Sequence, residues 1–298
     1  MQELIVQTAQ GPLLPMLAPM PSQADSDEQL IELWLFARGE HTRQAYTADV
    51  CRFRRFVDKP LQSVTLGDLQ AFVNQLHGLA DSSRARISAS IKSLLSFAHK
   101  VGYVRFNVGA ALTLPKRRNR LSERILTEAQ VIAMFTLEPN LRNRAILRTL
   151  YIAGLRVSEL VGLCWRDLQE RGETEGQLTV FGKGGKTRAV LLPAILWQEL
   201  LALRGEAGDD LPVFRSRKGG TCLDRSQVMR LVRQAADRAG IKGNVSPHWL
   251  RHCHASHALD RGCPAHLLQQ TLGHSSLSTT GMYAHARPSE SSSKYLAV

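Results

Sequence analysis

Between residues 27 and 106 apolar side chains recur at intervals close to 3.6 residues, broken by short polar stretches and by no convincing pair of strands. That period belongs to amphipathic helices. It predicts four of them, over 27–37, 42–57, 66–76 and 83–99, the last carrying Ile87, Ile91, Leu94, Leu95 and Ala98 on one stripe. The pattern lapses from 107 to 123, where Pro115 opens the basic run Lys116, Arg117, Arg118, Asn119, Arg120. It resumes at Thr127-Glu128-Ala129-Gln130, a capping-box pattern that starts a helix. A longer helix is predicted over 141–152, ended by Gly154, with another beginning near Val157. Residues 177–181 and 188–192 alternate or run apolar around the glycine-rich stretch 182–187, which predicts a β-hairpin. Helices follow over 194–203, 225–239, 247–259 and 264–272, with Ser246 and Pro247 as N-cap and first helical residue of the third. Gly281, two residues before Tyr283, predicts a flexible turn rather than a helix around that tyrosine.

The 298-residue chain therefore reads as mainly α with a small β-hairpin. Its expected organisation is a flexible tail over 1–26, an all-helical domain over 27–106, a basic connector over 107–123, and a mixed, mostly α domain over 124–298. The chain closes on Tyr295, Leu296 and Val298, a short apolar end suited either to docking on a neighbouring subunit or to folding back on its own domain.

Charge changes the picture. Residues 1–40 hold six acids, Glu3, Asp25, Asp27, Glu28, Glu32 and Glu40, against Arg38 alone, so a formal net charge of +12 for the whole becomes +17 for the remainder. A body that basic favours a polyanion, of which nucleic acid is the commonest, although a merely basic soluble protein shows the same excess. Five scattered cysteines without a Cys-x-x-Cys pair fit reduced thiols in a cytosol. No apolar run approaches the roughly 20 residues that span a bilayer, so a cytoplasmic protein without membrane association is expected.

Four separated segments carry the candidate chemistry: 153–160 with Arg156, the hairpin tip with Lys183, 246–252 with His248 and Arg251, and Leu272-Gly273-His274 followed by Tyr283. They supply two guanidiniums, an ammonium, imidazoles and a phenol. Breaking a phosphodiester without metal needs a nucleophile, cations for the non-bridging oxygens and an acid for the leaving oxygen. A guanidinium fork suits the second task because it donates two hydrogen bonds and keeps its charge. His248 and Arg251, three apart on one predicted helix, can face one site.

At these residues the chain resembles the tyrosine recombinases, the family of phage integrases and Xer-type enzymes. Ala153 to Leu160 is similar to the family's first arginine box, Gly182-Lys183-Gly184-x-Lys186-x-Arg188 to its lysine hairpin, His248 to Arg251 to its His-x-x-Arg box, and Leu272 to His274 with Tyr283 to its closing motif. The resemblance covers about residues 122–286. It implies a SAM-like helical core-binding domain ahead of a mixed α/β catalytic domain, and site-specific breakage and rejoining of double-stranded DNA. It also implies roles: Arg156 and Arg251 on the scissile phosphate with His274 as a third donor, Lys183 as acid for the 5′-hydroxyl, His248 assisting proton transfer from Tyr283, and Tyr283 in a 3′-phosphotyrosyl link. Neither nucleotide triphosphate, metal nor other cofactor is implied. The implied assembly is a tetramer on DNA, of identical subunits or with a related recombinase. Arg84, Arg86, Lys92, Lys116, Arg117, Arg118, Arg120, Lys186 and Arg188 are the candidate DNA contacts.

Plainer readings stand beside these. Arg156 could be a helix-start residue paired with Glu159, Lys183 and Lys186 solubilising charges, Tyr283 a half-buried core aromatic, and the helix 83–99 charges a solvated face. His248, His252, Cys253, His254, His257 and Cys263 invite a zinc site, against which stands the missing glutamate after the first histidine. A type IB topoisomerase, or a DNA-binding regulator without turnover, would use the same fold.

Overall fold

A computed structural model describes residues 23–114, 121–182, 185–216, 220–274 and 276–284. The chain divides into two compact units, Met1–Arg118 and Asn119–Val298. The first is helical: α1 (Asp27–Leu35), α2 (Glu40–Val57), α3 (Leu66–Gln75) and α4 (Asp81–Lys100). Ser26 caps α1 by accepting the Gln29 N–H at 3.2 Å, and Thr65 with Asp68 forms a capping box on α3. The predicted stripe of α4 is buried along its length, against Leu30, Phe53, Leu69 and Phe72. Each such side chain, fully withdrawn from water, contributes roughly 1.5–3 kcal/mol before entropy is counted.

The buried carboxylate of Asp27 accepts from the Leu61 N–H and from the Tyr103 hydroxyl at 2.7 Å, so one anion ties the start of α1 to two distant segments. This unit runs beyond residue 106. Leu112 is buried in its core after a 3-10 turn over Val108–Ala111, because a short apolar cluster there still packs on α4 although its helical period has lapsed. Three candidate DNA contacts on α4 have internal partners. The Lys92 ammonium donates to the Ala110 and Leu112 carbonyls at 3.2 and 2.8 Å, Arg86 pairs with the buried Asp49, and Arg84 lies 3.6 Å from Asp81. Lys92 thus braces the helical unit, while Arg86, its side chain 43% exposed, keeps a face to solvent. Lys116, Arg117, Arg118 and Arg120 lie outside the described residues.

In the second unit α5 (Glu128–Thr136) starts at the capping box of Thr127 and Gln130, and α6 (Leu141–Ile152) is capped by Asn140. α6 is the central helix, with Ala145, Ile146, Leu147 and Leu150 wholly buried. The short α7 (Val157–Val161) follows Gly154, whose φ of +59° reverses the chain. A three-stranded antiparallel sheet comes next, β1 (Leu168–Arg171), β2 (Glu175–Phe181) and β3 (Thr187–Leu192), in the order β1-β2-β3. Leu178 and Val180 of β2 and Val190 and Leu192 of β3 alternate into the core, as the hairpin pattern predicts. β1 was not predictable from periodicity, because Leu168 is its one apolar residue.

The rest is helical: α8 (Ala194–Arg204), α9 (Arg225–Arg238), α10 (Pro247–Asp260), α11 (Ala265–Leu272) and α12 (Leu277–Ala284). Pro247 opens α10 as expected, but Ser246 makes no side-chain cap bond. The expected turn around Tyr283 is instead the helix α12, which packs on α10 and α11. Tertiary contact overrides the low helix propensity of Gly281, since Thr280 and Tyr283 are both buried on the inner face. A methyl group added at Gly281 would meet nothing within 4 Å. Gly281→Ala is therefore expected to raise stability by about 1 kcal/mol, read as a shift of the urea midpoint at unchanged slope. A destabilised variant would mean that α12 needs the glycine. Among the described residues no helix is long and apolar enough to cross a membrane.

Candidate active site

The site is built on the first turns of α10. Residues three and four apart share a helix face, which brings His248, Arg251 and His252 to one side. Arg251 is 2% exposed and reaches two backbone carbonyls, Nη1 donating to Gly154 and Nη2 to Leu272 at 2.6 Å. Both carbonyls sit where the chain turns sharply. A Cβ at Gly154 would lie 2.7 Å from Leu272 Cδ2 and 3.0 Å from the His254 ring, so the approach of α6, α10 and α11 requires a glycine there. Burial, with Arg156 nearby, lowers the Arg251 pKa to about 10, which still leaves it a cation at neutral pH.

Arg156 occupies the N-cap of α7. Its backbone N–H donates to Glu159 Oε2 and its Nη1 to Glu159 Oε1, both at 2.8 Å. The same carboxylate accepts from Arg188 on β3, Nη1 at 3.0 Å and Nη2 at 2.8 Å. Burial alone would raise the Glu159 pKa, yet the bonds and charges of Arg188 and Arg156 hold it at about 2. Arg188 also donates through Nε to the Thr271 carbonyl at 2.7 Å, anchoring the sheet to the end of α11. The Arg188 side chain is 10% exposed and anchored to Glu159 and to the Thr271 carbonyl, while that of Arg156 is 38% exposed. Three guanidiniums against one carboxylate leave the cluster positive.

His274 follows Gly273, whose φ of +62° caps α11. The imidazole Nδ1 is 3.1 Å from Thr280 Oγ1, and its ring lies nearly parallel to that of Tyr283, centroids 6.2 Å apart. Tyr283 is 5% exposed, and its hydroxyl is 2.9 Å from Nδ1 of His252. Burial raises the phenol's pKa against the opposing pull of Arg251 and Arg156. The His248 ring stands 5.0 Å from that of His252, one turn away and exposed. Crowding by protein lowers its pKa, with Arg251, Arg156 and Arg124 adding to the effect.

Arg156, Arg188, Gly273 and His274 line a cleft of about 1170 Å³, on whose wall the exposed Lys186 also lies. Lys183 is outside the described residues. The neck of its loop is closed by a bond from the Gly182 N–H to the Lys186 carbonyl at 2.7 Å. The residues brought together are therefore Arg156, Arg251, His274 and Tyr283, with His248 beside them. The pairing of Arg156 with Glu159 at a helix start is found as the plainer sequence reading had it, whereas the bonds of Glu159 to Arg188 were not foreseen, and His252 was weighed only in the disfavoured zinc set.

The zinc set is dispersed. His254 Nδ1 bonds to the Tyr151 carbonyl at 2.8 Å, His257 bridges the Tyr151 hydroxyl and the Leu126 carbonyl at 2.9 Å each, and Cys253 Sγ accepts the Leu126 N–H. Among the described residues no three metal-ligating side chains converge.

Burial first, then neighbouring charge, lowers the pKa of His252, His254 and His274 to about 4. Between pH 6.5 and 4 the unfolded chain then binds more protons than the folded one at these positions, so stability falls as pH falls through that window. The Glu159 contribution is lost only at lower pH, from its ordinary 4.5 down to about 2. Thermal melting from pH 7.5 to 4.5 is expected to show a progressive drop, and a flat profile would contradict neutral, buried imidazoles.

A helical unit followed by this mixed unit, with arginines, histidines and a tyrosine gathered on α7, α10, α11 and α12, defines a class. The sequence profile of the phage integrase family matches residues 124–290, and that of the family's N-terminal SAM-like domain matches residues 30–102. The chain belongs to the phage integrase family, and is a Xer-like tyrosine site-specific recombinase. It is 38% identical over 259 residues to the tyrosine recombinase XerC of Pelobacter propionicus, covering 82% of this chain and 84% of that protein. Its fold matches that of the XerH recombinase in a post-cleavage complex with palindromic difH substrate, with a TM-score of 0.73, 23% identity and coverage of 88% and 82%. A lambda integrase tetramer bound to a Holliday junction matches with a TM-score of 0.72, 21% identity and coverage of 90% and 80%.

Proposed function

We propose that this recombinase breaks and rejoins duplex DNA through a 3′-phosphotyrosyl link to Tyr283. The observation that carries the reading is the gathering of Arg156, Arg251 and His274 around the one buried tyrosine of α12. Arg156 and Arg251 hold the non-bridging oxygens of the scissile phosphate and His274 donates a third bond, so charge building on phosphorus meets fixed cations. The Tyr283 hydroxyl gives its proton to a neighbouring imidazole as its oxygen forms a bond to phosphorus, and the bond to the 5′-oxygen breaks. Lys183 gives that oxygen its proton.

One phosphodiester is exchanged for another of similar energy, so the step needs no nucleotide triphosphate. The guanidiniums supply the positive charge for which other phosphoryl-transfer sites use a metal, and no cofactor is required. A 5′-hydroxyl from a second duplex reverses the step, and reversal with a new partner is strand exchange. Lys186, on the cleft wall, and the connector residues Lys116, Arg117, Arg118 and Arg120 contact the backbone. Four subunits form the synapse, by analogy with the tetramer named for lambda integrase.

The experiment is covalent trapping on a nicked suicide duplex, in which the released fragment diffuses away. The expected result is a denaturation-resistant protein–DNA adduct that forms in chelator and without nucleotide. Absence of any adduct would remove the enzymatic reading and leave a DNA-binding regulator. Relaxation of supercoils by a monomer that never joins two duplexes would instead favour a topoisomerase.

A further inference from the structure

We infer that His252, one helical turn beyond His248, is the group that takes the phenolic proton of Tyr283 during attack and returns it during rejoining. The inference rests on the phosphotyrosyl reading and deepens it. Two imidazoles, His252 and His274, face the Tyr283 ring, a third, His248, stands behind His252, and their geometry differs. The His274 Nδ1 is turned to Thr280 Oγ1, and its ring lies alongside the tyrosine ring. His248 stands at the exposed edge, against the His252 ring. The hydrogen bond to the reacting oxygen is made by His252 Nδ1, at 2.9 Å, with the two rings 5.7 Å apart. That distance is the one a proton acceptor needs.

The step balances. The Tyr283 O–H bond breaks and its proton passes to Nδ1, the phenolic oxygen bonds to phosphorus, and the 5′-oxygen leaves with the proton of Lys183. In rejoining, the Tyr283 oxygen becomes the leaving group and His252 hands the proton back. Neutral His252 carries the required lone pair, and the protein environment keeps it neutral: burial first, then His248 on its own helix, Arg124 from the turn over Ser122–Arg124, Arg251, and His274 after α11. A base so depressed is weak against a phenol whose own pKa is raised. An incoming phosphate reverses both biases. Its negative charge offsets the guanidiniums and favours the imidazolium, while bonding to phosphorus makes the phenolic oxygen more acidic. Proton transfer is thereby confined to the moment when DNA occupies the site.

His252→Asn tests this, because an amide oxygen near the Nδ1 position can accept the phenol's hydrogen bond but cannot carry its proton. Single-turnover adduct formation on the suicide duplex is measured from pH 5 to 9, with DNA binding and melting followed in parallel. The expected result is unchanged binding, a rate lowered about a hundredfold or more, and loss of the limb along which the native rate rises with pH. A native rate and profile in His252→Asn would overturn the assignment, as would disappearance of that limb in His248→Asn alone. Where the variant fails to fold, titration of the His252 ring by NMR in the native protein decides: its pKa is expected to rise on DNA binding, and an unchanged value would overturn the inference. Adduct formation by Tyr283→Phe would sink the phosphotyrosyl reading itself, which is a different result from a fully active His252→Asn.

Discussion

Tyr283→Phe should bind DNA as the native chain does and form no covalent adduct. Its ring keeps the parallel contact with His274 and the burial that holds α12 against α10 and α11. One oxygen is removed, and with it the bond to His252, a loss of about 0.5–1.5 kcal/mol that leaves the fold intact. Phenylalanine has no atom that could take the place of that oxygen as the nucleophile hydrogen-bonded to an imidazole. The check is a gel of denatured reaction products beside a binding titration. Persistent adduct in this variant would show that another residue attacks, and weakened binding would assign the hydroxyl a part in recognition.

Arg251→Ala should lower the rate of adduct formation at saturating DNA by about a thousandfold or more, since deleting a single fixed donor to a developing oxyanion typically costs about 10²–10³ and this one also carries charge. The substitution has a second effect. The Gly154 and Leu272 carbonyls lose their buried donor, at about 1–3 kcal/mol for each left unsatisfied, so the melting temperature should fall as well. Rates are therefore compared at a temperature where both proteins are folded. Arg251→Lys restores a charge without the planar fork and should recover little of the rate. If the deficit vanished at high DNA concentration, Arg251 would be a binding residue and the transition-state role would be lost.

The helical skeleton was legible where apolar spacing is strong. α4 and α6 follow from stripes such as Ile87, Ile91, Leu94 and Leu95, and the hairpin from alternation through Leu178 and Val180. α12 was not, because Gly281 argues against a helix and the forces that make one are contacts with α10 and α11. β1 escaped notice because its pairing with β2, rather than its composition, makes it a strand. At the site, Arg156, Arg251, His274 and Tyr283 could be picked out as residue types suited to one phosphate. How they are held could not. Glu159 and Arg188 are 29 positions apart and meet only after the sheet folds beside α7. His252 entered only in a zinc set that the sequence itself disfavoured, since sequence shows its neighbours along α10, whereas its partner lies 31 residues away on another helix.

The Arg251 guanidinium clasps the turn after α6 and the end of α11, and by the proposed chemistry it also grips the substrate. One side chain then serves as rivet and as clamp. A copy whose α11 has begun to peel away has already given up its hold on the phosphate, while its phenol has lost the setting that makes it reactive. By that chemistry, damage to such an enzyme ends in inert protein rather than in a careless nuclease, which for a recombinase is the safer way to fail.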